Sequence, residues 1–469
     1  MGQNVALVII IDLIVIIGLC RIAARSGLEA ALPFASFMLV LVPIESSIPL
    51  GLFELTTQRL IVGLLLVLYL TGKNITERQV RMPMPLKVLI LLHICWCILS
   101  TTDSVVPLMS VKKAVSVIVE YYALYFIYWK SVTKTETIRK ILFSIVLAVI
   151  VCSVFGAFEA YGAENVLAFF PRAGHHFDML SETDREIRVQ STFDHPILFG
   201  AALAMAITIS LYLVTVTEKT WQVTLLWFGI MLMFLNIYKT SSRGPWLDVM
   251  LGCLLLVIFG RGKIRKNILI IGVLALAAMV IRPGIWATVK GIYDNSFDMN
   301  TSTGTSYEYR YALQHAVTSR LLLSPTRALW GYGLESFYDL QIEDDFLGKP
   351  HLFLSCDSSW AELMIETGFV GLGIIILILL KPAWRALRDY QILPPPDRYL
   401  SLMLLVNLLI FYFQMYSVGM YSWGQNGYML WILIAITFAY PLCREEEAEL
   451  ADSEEQDFTV DFELASQTL

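Results

Sequence analysis

Three arginines in polar segments beside long apolar runs have the residue type and setting needed to bind phosphate. Arg188 lies in RVQSTFDHPILFG, Arg243 in KTSSRGPWLD and Arg310 in SYEYRYALQHAV. A guanidinium offers a rigid fork of N–H donors that binds phosphate oxygens in a bidentate manner and stays charged at low dielectric. The alternative for each arginine alone is an interfacial anchor that reaches the lipid headgroups. Three together favour a phosphate-bearing ligand.

A carboxylate suited to accepting a proton occurs in the stretch CDSSWAELMIETGFVGL. Asp357 stands there just before an apolar run, followed by Ser358 and Ser359. A carboxylate can take the proton from an attacking hydroxyl group. The structural alternative is that Ser359 and Glu362 form a capping box, in which case Asp357 and Ser359 simply start the next helix. The two roles are compatible, and His351 is a reserve candidate for the base.

A metal site is not expected from the other polar residues. His175, His176 and Asp178 are close in sequence, but no further ligand has suitable spacing, and a solvated loop accounts for them. No basic stretch interleaved with aromatic residues suggests nucleic acid. We therefore expect no cofactor, no metal and no nucleic-acid partner.

The composition indicates which elements must position these residues. Hydrophobic residues make up 57% of the 469 residues, charged residues make up 16%, and the mean hydropathy is +0.65. A soluble domain has about 25% charged residues. The chain is therefore predicted to be an all-α polytopic membrane protein.

About thirteen apolar runs approach the length of a membrane span, and twelve spans are also possible. A helix needs ~20 apolar residues to cross a bilayer. The runs cover residues 5–20, 28–43, 59–71, 88–100, 114–129, 141–161, 196–217, 222–238, 245–260, 267–282, 361–380, 399–416 and 427–442. The first run is expected to be a retained helix, because no small-residue cleavage pattern follows it.

The basic loops set the expected orientation. Clusters of Lys and Arg at 73–87, 130–140, 261–266 and 381–398 alternate correctly if all four are cytoplasmic. The three arginines, Asp357 and the long segment after Pro283 then face outward. Cys356 is the only one of the seven cysteines predicted in an outer loop, so we expect it to react with a membrane-impermeant maleimide from that side.

The long polar segment divides the sequence into four regions. Residues 1–282 are predicted N-terminal transmembrane helices, 283–359 a periplasmic loop with short helices, 360–443 C-terminal transmembrane helices, and 444–469 an acidic cytoplasmic tail. A loop of this length is either a functional element or a disordered insert. Its apolar residues favour an ordered loop with a small core: Tyr307, Tyr311, Leu321, Leu322, Leu323, Trp330, Tyr332, Phe337, Tyr338, Phe346 and Phe353.

Ionisable residues inside the apolar runs are few. Asp12, Glu120, Asp248 and His93 are the clearest, and such residues are costly in lipid. They lie in separate helices and form no relay pattern, so we expect each to make a structural hydrogen bond between helices. A transporter is an alternative, although neither paired repeats nor helices broken near the midplane are evident.

Several of these motifs together resemble the O-antigen ligase and polymerase superfamily of bacterial surface-polysaccharide enzymes. The resemblance rests on RVQSTFDHP, TSSRGPWL, YRYALQHAV followed by LLSPTRALWGYGLESF, and DSSWAELMIETGFVGLG, and it spans residues 188–380. The N-terminal stretch LVPIESSIPLGLFELTTQRL adds weaker support. The order and spacing of the motifs around one large outer loop carry the resemblance.

The resemblance implies a GT-C-like, metal-independent glycosyltransferase in the bacterial inner membrane, with its active site facing the periplasm. It would transfer a glycan from undecaprenyl diphosphate to an acceptor sugar hydroxyl. Arg243 and Arg310 match family arginines that would hold the donor diphosphate, and Arg188 matches an arginine before a GTF.NPN-like segment, here STFDHP. The implied partners are the lipid-linked oligosaccharide, an acceptor glycan or glycolipid, membrane lipids, a flippase and a chain-length regulator.

One departure from the family pattern bears on the reaction. Family ligases carry a histidine–asparagine pair where this chain has Asp357 and Ser358, and that histidine is regarded as the base. The replacement favours polymerisation of O-antigen or exopolysaccharide repeat units. Ligation of glycan to lipid A-core is the alternative, and a non-enzymatic transporter of polysaccharide or lipid is a third. The expected catalytic residues are Asp357, Arg243 and Arg310. The expected substrate-binding residues are Arg188, His195, Ser242, Tyr307, Gln314, Ser358 and Glu366.

Overall fold

The computed structural model describes residues 4–51, 53–72, 83–171, 188–281, 283–295, 298–299 and 304–467. His175, His176 and Asp178 lie outside these ranges, as do Lys73 and the other basic residues of its loop up to residue 82. The sequence predictions for these residues therefore fall outside the described part of the chain.

The chain is almost entirely helical, with two short hairpins. The N-terminal elements are α1 (Val5–Ser26), α2 (Leu28–Leu41), β1 (Ser47–Leu50), β2 (Phe53–Thr56), α3 (Thr57–Thr71), α4 (Lys87–Thr102), α5 (Pro107–Ser116), α6 (Ala123–Ser131), α7 (Thr135–Ala160), α8 (Pro196–Val216), α9 (Thr220–Lys239), α10 (Arg243–Phe259) and α11 (Lys263–Ile281). The later elements are α12 (Pro283–Asn295), α13 (Thr305–Leu322), α14 (Pro325–Trp330), β3 (Glu343–Phe346), β4 (Lys349–Leu352), α15 (Ser359–Ile392), α16 (Asp397–Gln414) and α17 (Gly424–Gln467). A π-helical turn at Val117–Tyr122 joins α5 to α6, and 3-10 turns lie at Val166–Phe169 and Phe337–Asp339.

The helices agree with the apolar runs of the sequence. Each of the thirteen runs falls on a helix, with the fifth run covering the π-helical turn and α6. Among the described residues, six helices are long and apolar enough to cross a membrane by themselves: α1, α7, α8, α9, α15 and the first part of α17. The predicted all-α polytopic membrane fold is confirmed. The two antiparallel hairpins, β1–β2 and β3–β4, are the exceptions to the all-α prediction.

Helix α8 lies at the centre of the bundle. Nearly every residue from Pro196 to Leu213 is buried, which agrees with a helix that is apolar on all sides. It packs against α7, α9, α10 and α16. The N-terminal ends of α8 and α10 approach closely, because a Cβ added at Gly200 would lie 2.3 Å from Cγ of Pro245.

The long segment between α11 and α15 folds into a cap with its own small core. Leu313, Val317 and Leu321 of α13 pack against Phe337, Phe353 and other residues that are buried in the same cluster. The predicted ordered loop is therefore present in the described residues, and Leu321, Tyr332, Phe337 and Phe353 are in its core. Other residues expected in that core are exposed instead: Tyr307, Tyr311, Leu322, Leu323 and Tyr338.

Helix α15 is broken where the cap docks on it. Gly368 has a φ of +66° and a ψ of −175°, so the first segment, residues 359–367, is separated from the longer apolar segment. The break removes helical partners from the carbonyls of residues 365–367. Other donors replace them: Tyr332 N binds Ile365 O at 2.9 Å, Gly333 N binds Glu366 O at 3.0 Å, and Trp96 Nε1 binds Thr367 O at 2.8 Å. The cap and α4 thus hold the break in place.

Three of the four buried ionisable residues make the expected hydrogen bonds between segments. Thr57 Oγ1 donates to Asp12 at 2.8 Å, Arg59 Nε donates to Glu120 at 2.8 Å, and Tyr122 bonds to His93 at 2.6 Å. Asp248 differs, because neither of its carboxylate oxygens has a hydrogen-bond partner in the described part of the chain.

Candidate functional site

Arg188 and Ser242 are brought together at the turn before α10. Arg188 Nε donates to the Thr240 carbonyl at 3.0 Å, and a second guanidinium nitrogen donates to the Ser242 hydroxyl. The Ser242 hydroxyl in turn donates to the Thr240 carbonyl at 2.9 Å. Arg188 therefore organises the turn that delivers the next residue, Arg243, to the start of its helix.

Arg243 is the first residue of α10, and this helix end lies against the end of α16. A Cβ added at Gly244 would lie 2.8 Å from both Nε2 and Oε1 of Gln414, the last residue of α16. Ser242 is the N-cap residue but makes no side-chain cap bond to α10. A helix N-terminus presents free N–H groups and a partial positive charge, which favours an anion at this end.

Arg310 of α13 reaches the turn that follows α16. Its Nη2 and Nε donate to the Ser417 carbonyl at 3.1 and 3.4 Å, and its Nη1 donates to the Ser306 carbonyl at 3.0 Å. Arg243 and Arg310, although far apart in sequence, therefore both adjoin the same end of α16. This juxtaposition is the main feature of the candidate site.

The other expected residues of α13 flank Arg310. Tyr307 is 61% exposed and close enough to Tyr416 to interact with it electrostatically. Gln314 lies one helical turn beyond Arg310, and its carbonyl accepts a hydrogen bond from Thr318. Both residues are thus on the helix that borders the turn, with Tyr307 open to solvent.

His195 is the N-cap residue of α8. Its Nδ1 accepts a hydrogen bond from the Ile197 backbone N–H at 3.1 Å. The contact between Gly200 and Pro245 places this helix end beside the start of α10. His195 is therefore near the arginine-bearing end of the bundle, where one of its nitrogens stabilises the start of α8.

The start of α15 differs from the predicted capping box. The N-cap residue is Ser358, whose hydroxyl accepts a bond from Ala361 N at 3.4 Å, so Ser359 and Glu362 do not form the box. Ser359 Oγ instead accepts from Met420 N at 2.8 Å and donates to the Val418 carbonyl at 3.1 Å. Ser359 does not act as the N-cap residue of α15 because its hydroxyl binds the turn between α16 and α17.

Asp357 precedes this helix start and is half-buried. Its Oδ1 accepts a hydrogen bond from Ser355 Oγ at 3.0 Å. The neighbouring Cys356 is buried, and this burial raises the pKa of its thiol. A buried thiol that stays protonated reacts slowly. Burial therefore disfavours the expected maleimide reactivity of Cys356, which stays a prediction. The reserve base His351 packs against the rings of Tyr309 and Phe353.

Glu366 is buried beneath the cap. Only 3% of its surface is exposed, and its Oε1 accepts a hydrogen bond from Glu335 N at 2.6 Å. The Glu335 carboxylate forms an ion pair with Lys113 of α5 at 2.9 Å. These contacts give Glu366 a clear role in docking the cap. Its expected role in substrate binding stays a prediction.

A group of residues that the sequence reasoning missed lies beside Glu366. It consists of Lys113, Glu335, Tyr338, Glu362 and Trp423, which come from four separate segments. The one local signal was the spacing of Glu362 and Glu366 in AELMIETG, because residues four apart share a helix face.

The fold and this site define a polytopic helical membrane protein with a folded cap over an arginine-bearing end of its bundle. Residues 228–376 match the family model described as O-Antigen ligase. The match includes Arg243, Arg310, Asp357 and the cap, and it confirms the resemblance to the O-antigen ligase and polymerase superfamily. The family supports glycan transfer in the assembly of O-antigen or another polysaccharide. No curated protein matches the chain.

Proposed function

We propose that this protein transfers a glycan from undecaprenyl diphosphate to an acceptor sugar hydroxyl at the periplasmic face of the bacterial inner membrane. The reaction polymerises repeat units of O-antigen or exopolysaccharide. The observation that carries the proposal is the position of Arg243 and Arg310, which adjoin the same end of α16 within the region that matches the family.

The chemistry requires stabilisation of the leaving diphosphate. Negative charge develops on this group as the bond from the anomeric carbon to its oxygen breaks. Fixed positive charge and N–H donors for that oxygen come from Arg243, the N-terminus of α10 and Arg310. In this proposal the two guanidinium groups take the place of a divalent cation, so the reaction is independent of metal. Arg188 contributes indirectly by holding the turn at Ser242.

The choice between polymerisation and ligation rests on the residues at the start of α15. Ligases of the family that this chain resembles carry a histidine–asparagine pair at the positions of Asp357 and Ser358. The difference favours polymerisation. Ligation to a lipid A-core acceptor is the second candidate, favoured by the description of the matching family as O-Antigen ligase. A flippase would supply the lipid-linked repeat unit in either case, and a chain-length regulator would act with a polymerase.

Analysis of the lipid-linked and surface glycans of a deletion strain tests the proposal. A polymerase defect leaves single repeat units on the lipid carrier and on the surface acceptor. A ligase defect leaves long chains on the lipid carrier and none on the acceptor. Unchanged lipid-linked and surface glycans in the deletion strain would contradict a role in glycan transfer.

A further inference from the structure

Glu362 occupies an unusual position at the outer end of α15. It lies one turn before Glu366, in the segment that ends at the Gly368 break. Its Oε2 lies 3.4 Å from the position that a Cβ would take at Gly419, so the carboxylate faces the turn between α16 and α17. Within the described ranges, no hydrogen-bond donor reaches this carboxylate. A partly buried carboxylate without donors is costly, and the hydroxyl groups of a ligand would supply them.

The charges around Glu362 do not neutralise it directly. Lys113 forms its ion pair with Glu335 and interacts only at longer range with Glu362 and Glu366. Glu366 is already engaged by the Glu335 backbone N–H. Among the described residues of this group, Glu362 is therefore the carboxylate that has no direct hydrogen-bond or ion-pair partner, and it faces the turn between α16 and α17.

Two exposed aromatic rings flank the same carboxylate. Trp423 is 40% exposed, and its Cε3 lies 3.8 Å from the same Gly419 Cβ position that Glu362 approaches. Tyr338 is 55% exposed and interacts electrostatically with Glu362. Aromatic rings that combine an apolar face with a polar edge suit a sugar ring, which presents apolar C–H faces and hydroxyl edges. Carboxylate and rings together have the chemistry of a saccharide subsite.

We propose that Glu362 is the base that deprotonates the acceptor hydroxyl, and that Tyr338 and Trp423 bind the acceptor sugar. This inference rests on the proposed glycosyl transfer and assigns its acceptor side. Asp357 is the competing base, but its carboxylate already accepts the Ser355 hydroxyl bond and it stands outside the helix, next to the N-cap residue. Glu362 faces the turn between α16 and α17, which Arg310 also contacts, at Ser417.

The proton and bond changes balance in this arrangement. The acceptor oxygen forms a bond to the anomeric carbon as its proton passes to the Glu362 carboxylate. The bond between that carbon and the diphosphate oxygen breaks, and the lipid diphosphate leaves with the electron pair. The products are the lengthened glycan, the free lipid diphosphate and a protonated Glu362, which then returns its proton to solvent.

The test uses the full-length protein in membranes, with the lipid-linked repeat unit extracted from the deletion strain as both donor and acceptor. Glu362→Gln should lower the rate by about 100-fold or more, as for the loss of a general base. Trp423→Ala should mainly raise KM for the repeat unit. Glu343→Gln, a change to an exposed acid in β3, is the matched control and should leave the rate unchanged.

Chemical rescue separates a base from a structural carboxylate. In Glu362→Ala, added formate should restore part of the rate, because a small carboxylate can enter the vacated space and accept the proton. Formate should not rescue Glu362→Gln, where the amide fills that space. The acidic limb of the pH–rate profile should also disappear in Glu362→Ala, although this variant retains the titratable groups around residue 362: Lys113, Glu335, Tyr338, Cys356 and Glu366.

The possible failures are distinguishable. If the deletion strain accumulates lipid-linked repeat units but Glu362→Gln assembles glycan normally, only the role of Glu362 is overturned. The same holds if Glu362→Ala is inactive at normal abundance and formate does not restore it. Loss of activity in Asp357→Asn together with normal activity in Glu362→Gln assigns the base to Asp357. A deletion strain with unchanged lipid-linked glycans overturns the glycosyl transfer itself.

Discussion

The Arg310 guanidinium donates to the Ser417 carbonyl at 3.1 and 3.4 Å, and so connects the cap to the turn between α16 and α17. The same turn is bound by Ser359 at the start of α15. A guanidinium carries five N–H groups, so one arginine can hold a turn and also donate to a phosphate. Arg310 thus links the position of the cap to the position of the proposed donor site.

The two arginines at the end of α16 provide the first prediction. Arg243→Lys and Arg310→Lys should each lower glycan assembly by about tenfold or more at near-normal protein abundance, because lysine keeps the charge but loses the bidentate geometry. Chain-length analysis of surface glycan and immunoblotting of membranes measure the two quantities. Arg320→Lys, at an exposed position of the same helix as Arg310, is the control and should have no effect. Normal assembly in both variants would make these arginines anchors only.

The sequence predicted the helix ends beside which several candidate site residues lie. RVQSTFDHP and SSRGPW mark the starts of α8 and α10 by their proline residues, and the basic loops placed both on one side. The structure then brings Arg243 and Arg310 to one end of α16, as the shared orientation suggested. Apolar patterns locate each helix end separately, and the basic loops predict which ends share one side of the membrane. Together they were sufficient for this part of the prediction.

The missed residues depend on contacts between distant segments. Lys113 and Glu335 are paired because α5 meets the cap, and neither has a local motif that indicates the other. The prediction that Ser359 starts a capping box was wrong for the same reason. The Ser359 hydroxyl binds backbone groups of residues 418–421, about sixty positions away, and so it does not cap its own helix. The β1–β2 hairpin was also missed, because its short strands carry Pro49 and a glycine turn between apolar runs.

The two adjacent serines at the start of α15 should differ in their contribution to stability. Ser359→Ala leaves the buried Met420 N–H and Val418 carbonyl without their partner, which costs about 1–3 kcal/mol. Ser358→Ala removes two long bonds of 3.4 Å, the cap bond from Ala361 N and the bond to the Met415 carbonyl, so its cost should be smaller, about 1 kcal/mol. Thermal unfolding of the detergent-purified variants measures the order. A larger loss in Ser358→Ala would contradict this order.

The orientation of the membrane helices can be tested with new cysteines. In a background with Cys356 and the other native cysteines replaced, Leu354→Cys should react with an impermeant maleimide once the outer membrane is permeabilised, because Leu354 is 75% exposed in the cap. Gln391→Cys, at the exposed opposite end of α15, should react only after the inner membrane is lysed. The reverse labelling pattern would mean that the proposed site faces the cytoplasm.

Gly368 should be essential for the break that docks the cap on α15. Its φ of +66° and ψ of −175° belong to a region open almost only to glycine, where another residue costs about 1–3 kcal/mol. A Cβ at this position would also lie 2.3 Å from the Leu329 carbonyl oxygen, which is backbone and cannot rotate away. Gly368→Ala should therefore lower the free energy of unfolding by more than about 2 kcal/mol.

Gly373→Ala is the matched control for this prediction, because it is in the same helix but a Cβ there meets nothing within 4 Å. Alanine is favoured over glycine in a helix by about 0.5–1 kcal/mol, so this variant should be neutral or slightly more stable. Glycan assembly should fall with stability in Gly368→Ala, since the break positions Glu362 and Glu366 against the cap. Equal thermal stability of the two variants would mean that the cap does not depend on the break.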